Sequence, residues 1–135
     1  MAGILTPKGF LQVGGIVLVL VAILGYVGVI GSTPEQSIFG GFWWFDNLEN
    51  IAHLVLGVVA LAAAYMLGSG MQKQLTMVVG VVAVLVGLYS LLVSDMFLGA
   101  GLENPADSLL HLVVGAWALY AAFKGGGSMS SGGMM

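Results

Sequence analysis

His53–Ala64 reads HLVLGVVALAAA and His111–Ala122 reads HLVVGAWALYAA, so eight of twelve positions repeat, and an acid stands four residues before each histidine. Glu49, His53 and Gly57 thus recur as Asp107, His111 and Gly115. The chain reads as two copies of one unit, and its only two histidines occupy equivalent places in them. Both words are continuously apolar rather than alternating, which favours helices over the ~10-residue alternating segments of a β-barrel.

Outward from these words, apolar stretches run from about Phe10 to Ile30, Leu48 to Leu67, Leu75 to Met96 and Ser108 to Phe123. A helix rising ~1.5 Å per residue needs about 20 residues to cross ~30 Å of hydrocarbon. Four transmembrane helices are expected, and the fold class is an all-α polytopic membrane protein. Composition agrees: 135 residues allow one domain, and 59% hydrophobic with 7% charged residues cannot cover a water-facing surface. With no cysteine, disulfides and thiolate chemistry are excluded. Three lysines, no arginine and a pI near 4.9 leave no basic footprint for nucleic acid.

The helix starts carry their own signals. Asp46 followed by Glu49 is a capping-box spacing, in which side chains satisfy the free N–H groups of a first turn. At the fourth span Asn104 reads as the N-cap, Pro105 as the first helical residue and Asp107 as its third. Acids in these turns also complement the positive end of the helix dipole, and that role alone explains their spacing.

Lys8, Lys73 and Lys124 all fall on one side of the four-span topology, while Glu35, Asp46, Glu49, Asp95, Glu103 and Asp107 all fall on the other. Basic flanks stay cytoplasmic, so both termini are expected inside the cell membrane and both acid-bearing loops outside. The first span follows Lys8 as a signal peptide would, but about twenty apolar residues exceed a usual h-region, and it reads as a permanent span. Phe42, Trp43, Trp44 and Phe45 precede the second span, where an interfacial aromatic anchor belongs. A four-helix domain over 1–124 is expected, with repeats at about 10–67 and 75–123. The Gly/Ser/Met tail at 125–135 is expected to be disordered, its methionines at most a weak soft-metal site.

Each repeat is a two-helix hairpin, so both copies cross in the same sense about a pseudo-twofold along the membrane normal. Helices two and four then run parallel, which places His53 and His111 at one depth, roughly 10 Å past the helix starts. Gly57 and Gly115 lie one turn beyond on the same face, where a missing side chain lets a neighbouring helix approach. Ala60, Ala64, Ala118 and Ala122 continue that seam, with Gly14, Gly15, Gly25, Gly28, Gly80 and Gly87 on the other two helices.

The stretches WFDNLENIAHLVLG (Trp44–Gly57) and LENPADSLLHLVVG (Leu102–Gly115) resemble the paired motifs, an Asn or Asp, a short spacer and then HLLLG, of a family of small four-helix prokaryotic membrane proteins catalogued as a domain of unknown function. The resemblance extends from about Val13 to Phe123. It implies four spans and carries no established activity.

The histidines admit two kinds of role. A neutral imidazole near the interface serves as polar glue between helices, a contribution of about 0.6 kcal/mol on average. Ionisable groups within a span are otherwise functional by default. Under that second reading His53 and His111 bind a haem or, with Glu49, Asp107 or Asp95, a divalent metal, or they line the mouth of a proton or small-solute path. No CxxCH haem attachment motif is present. Deeper polar stations along such a path are sparse: Gln12, Tyr26, Tyr65, Tyr89, Ser90 and Ser94. No nucleophile with a base, phosphate-binding loop or extramembrane domain supports an enzyme. The expectation is a non-enzymatic accessory subunit that packs through Gly and Ala faces against other membrane proteins or its own copies.

Overall fold

Thr6 opens the first helix: its hydroxyl accepts from the Gly9 N–H at 3.1 Å, and Pro7 fills the first helical position, where no N–H is missed. The computed structural model describes residues 3–94, 96–97, 100–101 and 105–125. Helix α1 is Pro7–Tyr26, α2 Asn47–Met66, α3 Ser69–Leu92 and α4 Ala106–Tyr120, the last continued by a π-helical turn over Ala121–Gly125. All four, α4 with its π turn included, are long and apolar enough to cross a membrane. A two-residue antiparallel ladder, β1 (Met96–Phe97) with β2 (Ala100–Gly101), lies between α3 and α4.

The helix ends differ from those read off the apolar runs, each for a local reason. Helix α1 stops at Tyr26 because Gly28 adopts φ +87°, a left-handed conformation that turns the chain. The segment from Val27 to Asp46 then folds across the helix ends. Its Phe45 N–H donates to the Ile30 carbonyl at 2.8 Å, and a Cβ at Gly31 would collide with the Phe45 carbonyl. Helix α3 begins at Ser69, six residues before the predicted Leu75, because polar Gln72 is buried by use: its amide donates to the Ala63 and Ala64 carbonyls at 3.3 and 3.0 Å. Those carbonyls belong to the last turn of α2, where intrahelical donors run out. Helix α4 begins at Ala106, so Pro105 stands just before it rather than as its first residue, its carbonyl already accepting from Leu109 N–H at 2.9 Å. Asn104, the expected cap, lies outside the described residues, as do Asp95, Glu103 and the tail beyond Gly125.

Small residues set the packing within each helix pair. A Cβ at Gly57 would stand 2.7 Å from Val19 Cγ2 and 2.9 Å from the Gly15 carbonyl oxygen; a Cβ at Gly115 would stand 2.5 Å from Val84 Cγ2 and 3.0 Å from the Gly80 carbonyl oxygen. Gly15 in turn faces Leu61, and Gly80 faces Leu119. The Gly15–Leu61 and Gly57–Val19 contacts between α1 and α2 thus have counterparts in Gly80–Leu119 and Gly115–Val84 between α3 and α4. In both pairs high numbers on one helix meet low numbers on the next, so each pair is antiparallel.

Helices α1 and α3 make the largest contact between the pairs, with smaller ones from α1 to α4 and its π turn, whereas the backbones of α2 and α4 make little contact. Phe10, Leu11, Ala63, Ala64, Ala118 and Ala121 form the buried core near the starts of α1 and α3. Phe10 meets Trp117 edge-on at 4.6 Å, and the Trp117 indole N–H donates to the Ile4 carbonyl at 2.6 Å, tying the chain's beginning to α4. Lys8, Lys73 and Lys124 sit at this end, and Glu35, Asp46, Glu49 and Asp107 at the opposite one. The helices thus have a lysine end and an acid end.

Candidate functional site

The first turn of α2 is capped reciprocally. Asp46 Oδ1 accepts from the Glu49 N–H at 2.8 Å, and Glu49 Oε1 accepts from the Asp46 N–H at 3.2 Å. That is the capping box expected from the spacing, and it occupies one Glu49 oxygen. The rest of the carboxyl turns inward: Glu49 is 5% exposed, and its carboxyl meets that of Asp107, 2% exposed, within hydrogen-bonding reach between α2 and α4. Glu49 Oε2 and Asp107 Oδ2 are both buried, with no hydrogen-bond partner among the described residues. The two acids of the duplicated word, spaced for capping, meet each other across the pairs.

The histidines flank this contact. The His111 Nδ1–H donates to the Asp107 carbonyl oxygen at 2.8 Å, one turn back on its own helix, and Nδ1 lies 3.6 Å from Asp107 Oδ1. This bond fixes the ring and leaves Nε2 as its other nitrogen. His53 instead packs edge-on against Phe45 at 5.1 Å between ring centres, with Nδ1 buried and no partner among the described residues. Asp107, His111 and Asp46 all lie close enough to His53 to act on it electrostatically. Among the described residues no three His, Asp or Glu side chains are grouped to hold a metal ion, and Asp95 falls outside them.

The aromatic segment takes two directions. Phe42 is exposed, as an interfacial side chain would be, while Trp43 and Trp44 are half-buried and Phe45 is buried. Trp43 packs on Phe39 at 5.4 Å and on Phe45 at 5.2 Å, so a chain of rings leads from the loop down to His53. Ser37 holds the same loop, its hydroxyl donating to the Trp43 carbonyl at 2.7 Å. These contacts cover the α2 side of the acid end.

Two polar residues beside the acids complete the site. Asn50, fully buried, presses its amide against Gly25 of α1, where a Cβ would overlap it, and its Nδ2 reaches the Phe45 carbonyl at 3.5 Å. Ser108, which follows Asp107 as Asn50 follows Glu49, is also fully buried and is hydrogen-bonded, Oγ to Oγ at 2.6 Å, to Ser90 of α3. Neither residue reveals its partner in the sequence, because each is one polar position in an apolar run. The available signal was that both follow their acid directly, at equivalent places in the repeat, where a polar group within a span must find a buried partner.

A chain of four apolar spans, glycine seams inside and aliphatic side chains outside is a multi-pass membrane protein. Residues 8–128 match the family described as Domain of unknown function (DUF4383), and the chain belongs to that family. No curated protein and no solved structure matches it.

Proposed function

We propose that this is a non-enzymatic accessory or structural subunit of the cytoplasmic membrane, built from two copies of one helical hairpin, with both termini cytoplasmic and the acid end outside. The observation that carries the reading is where its surface lies. Only 28% to 33% of each span is buried inside the chain, and the remainder of each helix displays large aliphatic side chains such as Val58, Val81, Leu85 and Val113. Such a surface is satisfied by lipid tails, other membrane subunits or further copies. The interior is meanwhile packed tightly through Gly15, Gly57, Gly80 and Gly115. The duplication is supported by the paired sequence words and by the matched glycine contacts. The orientation is supported by the separation of lysines from acids.

Extraction into native lipid particles tests the role: a discrete complex of fixed stoichiometry larger than the 13.9 kDa chain is expected. A lone monomer from every preparation would overturn it. Orientation is read separately with a cysteine-free background, since the chain has none. A membrane-impermeant maleimide should label Glu35→Cys in intact cells and Gln74→Cys only after permeabilisation, and the reverse pattern would invert the topology.

A second reading, proton, small-solute, haem or metal handling at the acid end, is favoured by the buried carboxyls and imidazoles gathered there. Proteoliposome flux that is the same in wild type and in a His53→Ala, His111→Ala double variant would remove the histidines from any transport role. A colourless, metal-free protein would exclude bound haem or metal.

A further inference from the structure

We propose that Glu49 and Asp107 bind one proton between their carboxyl groups, and that this proton clasps the acid ends of α2 and α4 together. The geometry carries it. Two carboxyl groups meet between the helices, both more than nine-tenths buried, and each has an oxygen that no donor among the described residues satisfies. Carboxylate oxygens only accept, so two of them in contact repel unless one carries a hydrogen and donates it to the other. With that hydrogen the contact becomes a short charge-assisted bond, and both orphaned oxygens are satisfied by a single atom. The other oxygens are differently engaged: Glu49 Oε1 caps its helix, and Asp107 Oδ1 lies beside His111 Nδ1.

The clasp has a structural task. Helices α2 and α4 make little backbone contact, and between the pairs the backbone meets chiefly at α1 and α3, with smaller contacts of α1 to α4 and its π turn and of α2 to β2. A bond from Glu49 to Asp107 therefore adds a direct link between α2 and α4, whose backbones make little contact. The equivalence of the two acids fits this use, since equivalent residues of a duplicated unit face each other where they lie close to the axis relating the copies. The titratable groups acting on the pair are Asp46 and His53 from α2 and His111 from α4. From α1 and α3, Gly25 meets Asn50 and Ser90 bonds Ser108, the residues that directly follow the two acids, and neither Gly25 nor Ser90 titrates. Asp95 and Glu103 lie outside the described residues.

Glu49→Gln isolates the proton. The new amide oxygen still accepts from the Asp46 N–H, because Gln serves a capping box as well as Glu. Its NH₂ also offers Asp107 a donor that no base removes. Asp107→Asn is the mirror test. In lipid nanodiscs, unfolding of the wild type should ease as pH rises. The folded-to-unfolded ratio should fall by on the order of tenfold per pH unit while the folded chain alone retains the proton. Glu49→Gln should abolish most of that slope and keep the stability the wild type has at low pH. Infrared spectra should show a protonated-carboxyl C=O band in the wild type that Glu49→Gln removes. Spin labels at Leu48→Cys and Leu109→Cys should move apart with rising pH in the wild type only. An unchanged pH slope in Glu49→Gln and Asp107→Asn, or a wild type with neither slope nor carboxyl band, would overturn the proposal. Should Glu49→Gln fail to fold, Asp107→Asn and the wild-type infrared band decide the matter. The accessory role stands or falls independently, on the stoichiometry of the extracted particle.

Discussion

Replacing Gly57 by alanine should separate α1 from α2 at their closest approach. The added methyl would stand 2.7 Å from Val19 Cγ2, 2.9 Å from the Gly15 carbonyl oxygen and 3.0 Å from the Val19 nitrogen. The Val19 methyl can rotate away, but two of the three atoms are backbone of the facing helix, so the helices must move apart. Overpacking of this kind costs about 1–3 kcal/mol. Alanine recovers roughly 0.5–1 kcal/mol in a helix by restricting the unfolded chain, so a net loss of about 1–2 kcal/mol is expected, equivalent to roughly a tenfold shift in the folding equilibrium. Gly115→Ala meets Val84 and Gly80 with the same geometry and should lose a similar amount. The two sites share no partner, so the double variant should be additive to within about 0.5 kcal/mol. Gly70→Ala is the control: it lies in the first turn of α3 with nothing within 4 Å of an added Cβ, and should be neutral or slightly stabilising. The assay is unfolding in mixed micelles of rising SDS fraction, followed by tryptophan fluorescence and circular dichroism. If Gly57→Ala proved as stable as Gly70→Ala, the close approach of α1 to α2 would be refuted.

Gln72→Met, which keeps the side-chain volume and removes the donor, should cost about 1–3 kcal/mol in the same assay by leaving the Ala64 carbonyl buried without its partner. An unchanged midpoint would mean that water or lipid satisfies that carbonyl. Ser90→Ala and Ser108→Ala should each destabilise by about 1 kcal/mol, while a double-mutant cycle should return a coupling of about 0.6 kcal/mol, as interhelical hydrogen bonds within membranes do. A coupling of zero would show that the two hydroxyls do not depend on each other. Gly25→Ala should displace the Asn50 amide, with a loss that Asn50→Ala in the same chain partly restores; two purely additive losses would argue against that contact.

Much of the architecture is legible in residues because the bilayer narrows the choices. Backbone groups in hydrocarbon must be satisfied internally, so long apolar runs become helices, and the Asp46–Glu49 cap and the Gly57 and Gly115 contacts follow from spacing. The helix ends are less legible. Hydropathy could not anticipate that Gln72 would be buried to finish another helix, or that Gly28 would stop α1 four residues before the apolar run ends. The acids illustrate the same gap, since spacing accounts for their place in the first turn while only one Glu49 oxygen is engaged there.

By itself the sequence determined that four helices exist, that lysines and acids part to opposite ends, and that two histidines and two acids recur at equivalent positions. These depend on local chemistry and on the solvent in which the chain folds. Only the tertiary structure decided which of the repeated groups meet. His111 is occupied with its own backbone and His53 with Phe45, while Glu49 and Asp107 reach across between the helix pairs. Spacing fixes where a side chain leaves its helix; what lies opposite depends on how the second helix is placed. Here the glycine contacts within each pair, together with the α1–α3 contact between them, hold α2 and α4 a carboxyl's reach apart.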